Sequence, residues 1–134
     1  MTDTRSVQEA AAELVRAFAN NDRQAYFNAF SADATFVFYT LPEPLLNREA
    51  YQRLWDSWRA NEGFEVLSCA SSNACVSMQG DVAIFMHDVA TELRMNGETF
   101  SSQERETIVF RHQGGQWLAC HEHLSASPQS LPSS

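Results

Sequence analysis

The chain has 134 residues, 44% of them hydrophobic, which is typical of one folded domain and not of a disordered segment. Nine basic against 17 acidic residues give a formal net charge of −8, so nucleic acid and anionic membrane surfaces are disfavoured as partners. No apolar run approaches the ~20 residues of a membrane-spanning helix, and residues 1–5 do not resemble a secretion signal. The three cysteines form no CxxC pair, so we expect reduced, inert packing thiols and a cytoplasmic location.

Helical patterns account for most of the first half of the chain. A capping box that begins at Ser6, followed by apolar side chains at intervals of three and four, predicts a helix over about 7–19. Asp22 is a suitable cap for a short second helix that is rich in aromatic residues. Asn47 is a suitable cap for a third helix over about 48–61, whose apolar positions again recur at helical spacing.

Strand patterns dominate the rest of the chain. Residues 34–39 are mostly β-branched or aromatic, and from residue 64 onward the hydrophobic period changes to two. Turn signals, the clearest being Asn96-Gly97, divide this part into strands over about 64–78, 82–95, 99–112 and 117–125. Turns this short join antiparallel neighbours, and strands of about 14 residues are long enough that we expect bulges and strong bending.

The order of these elements predicts an α+β fold, with helices covering one face of the sheet. We expect a single domain over residues 1–125. Residues 126–134 are polar and rich in serine and proline, which predicts a disordered C-terminal tail.

The last two predicted strands carry a recognisable pattern. It consists of Arg-x-Thr-x-Val-aromatic over 105–110, a glycine shortly before Trp117, and His121-x-His123-x-Ser125. The pattern resembles the C-terminal signature of SnoaL-like domains of the nuclear-transport-factor-2-like superfamily. It is most similar to the subgroup that contains the association domain of calcium/calmodulin-dependent kinase II. The resemblance implies a cystatin-like fold: three helices packed on a strongly curved, mainly antiparallel sheet that forms a cone with a pocket. It also implies a homodimer through the outer face of the sheet.

Alternation along the strands sorts side chains into two sets without indicating which set faces the pocket. In the kinase association domain, pocket arginines occupy positions that match Asp88, Ile108 and Leu124 here. This register predicts the following inner set: Ile84, Met86, Asp88, Ala90, Glu106, Ile108, Phe110, Cys120, Glu122 and Leu124. Since the basic triad is absent, we expect an apolar pocket with a few carboxylates and no preference for anionic ligands.

Three carboxylates are candidates for acid–base chemistry. Asp88 interrupts an apolar stretch of a predicted central strand, where lost hydration would raise its pKa toward values useful for a general base. The alternative is a structural ion pair with Arg105. Glu106 and Glu122 could join Asp88, in which case mutual repulsion would keep one carboxyl protonated near neutral pH. The alternative for these two is a solvated position at the rim.

Aromatic side chains of the helices and first strand are candidates for the pocket wall. Tyr26 and Tyr39 could polarise a substrate oxygen with their hydroxyl groups. Trp55 and Trp58 lie at helical spacing and could line the pocket, although core packing explains the same spacing.

His121 and His123 share a strand face at a spacing known for metal ligands, and His87 falls in the same alternation set. The resemblance places this set on the outer face, so we predict a structural role and no metal. No Gly-rich phosphate loop or nucleophile-elbow pattern occurs, and no cofactor is predicted.

Three classes of function therefore remain open. The first is an isomerase, cyclase or hydratase that acts by proton transfer on a small apolar ligand, with catalytic candidates Asp88, Tyr26 and Glu122. The second is a non-catalytic small-molecule-binding protein. The third is a dimeric assembly module with a vestigial pocket.

Overall fold

A computed structural model describes residues 3–128 of the chain. Its elements in chain order are α1 (Thr4–Ala19), α2 (Arg23–Asn28), β1 (Phe30–Phe38), α3 (Arg48–Glu62), β2 (Glu65–Gln79), β3 (Val82–Met95), β4 (Glu98–Gln113) and β5 (Gln116–Ala126). The predicted α+β class is confirmed, and each predicted helix and strand corresponds to one of these elements.

Side-chain caps define where the helices begin. Asp22 and Asn47 cap α2 and α3 as predicted, each accepting a hydrogen bond from a backbone amide of the first turn. The first helix differs, since Asp3 caps it and accepts from the backbone N–H of Ser6 at 2.8 Å. The predicted capping box at Ser6 is therefore wrong by one turn. Gly63 ends α3 in the left-handed conformation, with φ 62°.

The five strands form one curved sheet in the order β1-β5-β4-β3-β2. β1 is parallel to β5, and the other pairs are antiparallel. The predicted bulges are present, because the ladder between β2 and β3 shifts register twice and that between β4 and β5 shifts once. In β5 the shift makes Cys120 an extra residue, since Val109 pairs with His121 and Phe110 pairs with Ala119. The inward side chains of β5 therefore change from odd to even positions along the strand.

The helices cover the concave face and enclose a largely aromatic core. α1 packs against β2, and α3 packs against β1. Tyr26, Phe27, Tyr51 and Trp55 are buried where the three helices meet the sheet, and their rings pack mostly edge to face. This core holds α2 and α3 against the end of the sheet that carries the polar cluster described below.

The C-terminal strand continues slightly further than predicted. β5 ends at Ala126, and the backbone N–H of Ser127 donates to the carbonyl of Gln103 at 3.1 Å. The predicted tail boundary therefore lies inside β5, and residues 129–134 lie outside the described part of the chain. Among residues 3–128, no helix combines the length and apolar composition that a membrane crossing requires.

Candidate functional site

A cavity of about 380 Å³ lies between the helices and the concave face of the sheet. Most of its lining is apolar or aromatic and comes from α1, α3 and the inner positions of β2 to β5. Three glutamates and two hydrogen-bonded tyrosines are among the polar groups that line it: Tyr26, Tyr51, Glu104, Glu106 and Glu122. An enclosed apolar site with a few convergent polar groups is typical of a small-molecule site.

Glu106 and Glu122 form a hydrogen-bonded pair of carboxyl groups in this lining. They lie on neighbouring strands, and both are buried, Glu122 being only 4% exposed. Burial, reinforced by the adjacent charge of Glu106, raises the pKa of Glu122 well above its usual range. Burial also opposes ionisation of Glu106, but hydrogen bonds from Glu122 and His87 outweigh it and lower the pKa of Glu106. The two pKa values are therefore moved apart, with Glu122 favouring the protonated form and Glu106 the ionised form. The burial of both groups excludes the solvated rim position.

His87 supports this pair from the neighbouring strand β3. Its Nε2 lies 2.7 Å from Oε1 of Glu106, and its side chain is fully buried. Its Nδ1 lies 2.6 Å from Oγ of Ser71 on β2. Because the carboxylate can only accept, we assign the proton of the ring to Nε2 and let the Ser71 hydroxyl donate to Nδ1. This role of His87 was not predicted, because the resemblance placed its side chain on the outer face.

Tyr26 and Tyr51 place hydroxyl groups beside Glu122. The two hydroxyl oxygens are 3.0 Å apart, and that of Tyr26 donates to Oε1 of Glu122 at 3.5 Å. Burial, with a further contribution from the charge of Glu122, raises the pKa of both phenols well above the ordinary value. Both therefore remain neutral hydrogen-bond donors. The predicted placement of Tyr26 in the pocket is confirmed, whereas Tyr51 was missed.

Tyr39 and Glu104 form a second polar pair at the open side of the cavity. The Tyr39 hydroxyl donates to Oε2 of Glu104 at 2.8 Å, and Tyr39 is 49% exposed. Burial raises the pKa of Glu104, and burial together with the Glu104 hydrogen bond raises that of Tyr39 to about 12. Tyr39 lines the cavity as predicted.

The cysteines do not all behave as predicted. Cys75 is exposed, so the expectation that every thiol is a packing residue is wrong. Cys69 lines the cavity, where burial raises its pKa to about 11, which leaves its thiol protonated and a poor nucleophile.

The prediction that Asp88 faces the cavity is wrong. Its side chain lies on the other face of β3, where its carboxylate accepts from Nδ2 of Asn73 at 2.8 Å and from Nε of Arg105 at 3.3 Å. The Asn73 hydrogen bond, followed by that of Arg105, lowers the pKa of Asp88, which is opposite to what a general base requires. The alternative of a structural ion pair with Arg105 is the one observed. Met86 lies on the same outer face and is 37% exposed.

The remaining predicted pocket residues divide between the cavity and the core. Trp58, Glu106 and Leu124 line the cavity together with the residues described above. Trp55, Ile108 and Phe110 do not line it and are fully buried in the core. For Trp55, the alternative of simple core packing is therefore the one observed.

The three histidines of the predicted set do not lie together. His87 is buried on the concave face, whereas Nδ1 of His121 lies on the outer side, 2.8 Å from Oγ1 of Thr35. The bulge at Cys120 and the position of His87 therefore exclude a site made by His87, His121 and His123. Within residues 3–128, no group of three or more His, Cys, Asp or Glu side chains has a geometry that could hold a metal ion.

The pair of carboxyls predicts a pH dependence of stability. The folded protein keeps a proton on Glu122 that an ordinary glutamate releases near pH 4.5. The stabilisation from Glu122 is therefore full below that pH and is lost as pH rises toward the raised pKa. Relative to Glu122→Gln, we expect the unfolding free energy of the wild type to fall between pH 5 and 8. The slope should reach at most about 1.4 kcal/mol per pH unit.

Urea denaturation at several pH values measures this difference. Glu98→Gln, which changes an exposed glutamate at the start of β4, is the matched control and should keep the wild-type pH dependence. Parallel curves for the wild type and Glu122→Gln would mean that Glu122 is ionised in the folded protein.

Comparison with known proteins identifies the family. The model of the SnoaL-like domain matches residues 7–129. The chain belongs to the SnoaL-like domain family. Comparison with the curated proteins returns no match.

Solved structures share the fold of this SnoaL-like chain at low sequence identity. A nuclear-transport-factor-2-like protein from Cytophaga hutchinsonii superposes with a TM-score of 0.80 at 15% identity, covering 95% of this chain and 100% of that one. A putative calcium/calmodulin-dependent kinase II association domain from Exiguobacterium sibiricum gives a TM-score of 0.79 at 14% identity, covering 99% and 97%. A putative dehydratase of the same superfamily from Streptomyces avermitilis gives 0.77 at 18% identity, covering 94% and 97%. These likenesses confirm the predicted cystatin-like fold.

Proposed function

We propose that this SnoaL-like protein catalyses proton transfer on a small, mainly apolar ligand bound in the cavity. The observation that carries the proposal is the buried, hydrogen-bonded pair of Glu106 and Glu122, which faces the cavity and has pKa values shifted in opposite directions. Neighbouring titratable groups whose pKa values are moved apart are suited to act as acid and base in one reaction.

The charge states of the pair assign a role to each carboxyl. Glu106 is the ionised member and accepts a proton from a carbon atom next to a carbonyl group. Glu122 is the protonated member and donates its proton to the substrate oxygen, so that an enol forms without net charge in the cavity. Return of the two protons, with Glu106 delivering to a different carbon, completes an isomerisation.

The same pair also supports an elimination of water. Glu106 takes the proton from carbon, and Glu122 protonates the departing hydroxyl group, which leaves as water. Because the two carboxyls are hydrogen-bonded to each other, the proton can then pass from Glu106 to Glu122 and restore the starting state. The structural similarity to the putative dehydratase from Streptomyces avermitilis supports this class of reaction as a candidate.

The neighbouring residues position the pair. His87 keeps the Glu106 carboxylate ionised and oriented through its 2.7 Å hydrogen bond. The Tyr26 and Tyr51 hydroxyls supply neutral donors near Glu122, where a substrate oxygen would sit during proton transfer. The apolar walls exclude water and strengthen these interactions.

The proposal is tested by deuterium exchange into ketones that the protein binds. Binding of 2-tetralone, cyclohex-3-enone and 4-phenylbutan-2-one is first measured by differential scanning fluorimetry. For those that bind, ¹H NMR in D₂O then follows exchange at the carbons next to the carbonyl. We expect wild-type catalysis of exchange and a loss of at least about a hundredfold in Glu122→Gln, because Glu122 supplies the acid.

Asp88→Asn is the matched control for this experiment. It changes a carboxylate of similar size outside the cavity and should leave the exchange rate within about twofold of the wild type. Exchange at the rate of the solvent alone, in ketones shown to bind, would favour a non-catalytic binding protein instead.

Assembly through the outer face of the sheet is the second part of the proposal. The side chains of Ile84, Met86, Val109 and Leu118 form an apolar, partly exposed patch across β3, β4 and β5. Such a patch supports a homodimer with a second copy of the chain, and a purely structural dimer is the alternative function that this face favours. The three free thiols, at Cys69, Cys75 and Cys120, support a reducing, cytoplasmic location.

A further inference from the structure

The arginine side chains all find their partners outside the cavity. All nine basic residues are arginines, and seven form ion pairs with carboxylates outside the cavity. The other two donate to neutral oxygens, Arg48 to the carbonyl of Phe30 and Arg59 to the side chain of Asn21. Of the residues that line the cavity between positions 3 and 128, none is an arginine or a histidine. Within the described residues, no arginine therefore pairs with a carboxyl group of the cavity.

Glu104 is the cavity carboxyl that this distribution leaves with neither a basic group nor a second carboxyl as its partner. It is 9% exposed, and its hydrogen bonds come from two uncharged hydroxyls, those of Tyr39 and Ser102. Glu106, two residues further along β4, has His87 as its donor. A buried carboxylate without a cationic partner is costly, so this position favours a ligand that brings a positive charge.

The surroundings of Glu104 suit an organic ammonium group. Phe100 and Tyr39 are exposed at the open side of the cavity, and Trp58 lines its wall. Aromatic faces attract cations and also bury the apolar body of such a ligand. A carboxylate or phosphate ligand would instead place a second negative charge beside Glu104, with no arginine in the lining to offset it.

We propose that the cavity binds an apolar amine, whose ammonium group pairs with Glu104 at the open side while its apolar body fills the interior. This inference rests on the proposed function in that it names the substrate class for the same cavity. Glu104 and Glu106 are two residues apart on one strand, so their Cα atoms are separated by about 7 Å. The ammonium group is then a few bonds away from the carbon that exchanges its proton with Glu106.

Three ligands of similar size that differ only in the head group test this proposal. They are 3-phenylpropylamine, 3-phenylpropan-1-ol and 3-phenylpropanoate, each titrated into the intact protein at pH 7 by isothermal calorimetry. We expect the amine to bind at least about tenfold more tightly than the alcohol, as a charge-assisted hydrogen bond provides, and the carboxylate to show no saturable binding.

Glu104→Gln tests whether Glu104 is the partner of the ammonium group. It should lower the affinity for the amine by about tenfold and leave that for the alcohol within about twofold. Glu98→Gln, on the same strand but exposed, should change neither value. Equal affinities for amine and alcohol, tighter binding of the carboxylate, or an unchanged amine affinity in Glu104→Gln would each overturn the inference.

The binding experiment does not depend on turnover. If the amine is preferred but Glu122→Gln leaves ketone exchange unaltered, the substrate class stands and the proposed catalysis fails. If Glu122→Gln abolishes exchange but the head group has no effect on affinity, the catalysis stands and the amine inference fails.

Discussion

The substitution His87→Leu is expected to lower the free energy of unfolding by about 1.5–3 kcal/mol at pH 7, the range for losing a hydrogen bond to a charged group. His87 is buried, and its Nε2 donates to the Glu106 carboxylate at 2.7 Å. Leucine provides no donor, so Glu106 would keep a buried charge with only the proton of Glu122 to stabilise it. Urea denaturation followed by circular dichroism measures the loss.

The pH dependence of this stability loss provides an internal control. As pH falls, Glu106 of the variant can take up a proton and avoid the buried charge, so the deficit of His87→Leu should shrink toward pH 5. Adding Glu106→Gln to His87→Leu should also recover part of the loss at pH 7, because it removes the charge.

His123→Leu is the matched control for this loss. It makes the same substitution at an exposed position of β5 and should change stability by less than about 0.5 kcal/mol. A similar loss in His123→Leu and His87→Leu, independent of pH, would contradict the role of the hydrogen-bonded network.

Trp55→Ala is expected to cost about 3–5 kcal/mol, the range for removing a large aromatic side chain from a core. Trp55 is 0% exposed, and its ring packs edge to face on Phe27 and Phe64 with centroid distances of 5.7 and 5.0 Å. Removal of the indole would leave a void that the surrounding rings cannot fill without moving.

Trp58→Ala makes the corresponding change one turn later on α3. Trp58 is half-buried and borders the cavity, so part of its surface already lacks protein neighbours. We expect it to cost less than about half of the Trp55→Ala loss and to weaken the binding of 3-phenylpropylamine. Equal destabilisation by the two substitutions would mean that the cavity is closed in solution. Chemical denaturation and calorimetry of both variants decide this.

Local patterns predicted the secondary structure well. Asp22 and Asn47 cap helices by bonding amides only three residues away, and the Asn96-Gly97 turn fixes a hairpin within four residues. These interactions need no information from distant parts of the chain. The error at Ser6 is also local, because Asp3 caps the helix one turn earlier.

The inner face of β3 could not be predicted in the same way. Apolar side chains occur in both alternation sets, Phe85 and Val89 in one and Ile84 and Met86 in the other. The helices cover only one face, and the other face carries its own apolar patch, so periodicity alone does not distinguish them. The choice made through the resemblance placed Asp88 inside and His87 outside, which the structure reverses.

The bulge in β5 explains why the predicted inner face of that strand was right only in its second half. Trp117 and Ala119 face inward before the extra residue Cys120, and Glu122 and Leu124 face inward after it. Uninterrupted alternation would have put these two pairs on opposite faces. No turn residue marks the bulge, because it is set by pairing with β4 and by the curvature of the sheet.

The amino-acid sequence by itself determined the α+β class, the order of the elements, the negative net charge and the absence of lysine. Each of these depends on composition or on neighbours a few residues apart. Only the tertiary structure decided that Glu106 and Glu122 lie together in the cavity, that His87 donates to Glu106 and that Asp88 lies on the other face of the sheet. The reason is physical: the pKa of a carboxyl group depends on its burial and on charges and donors from other strands, and those are brought together only when the sheet forms.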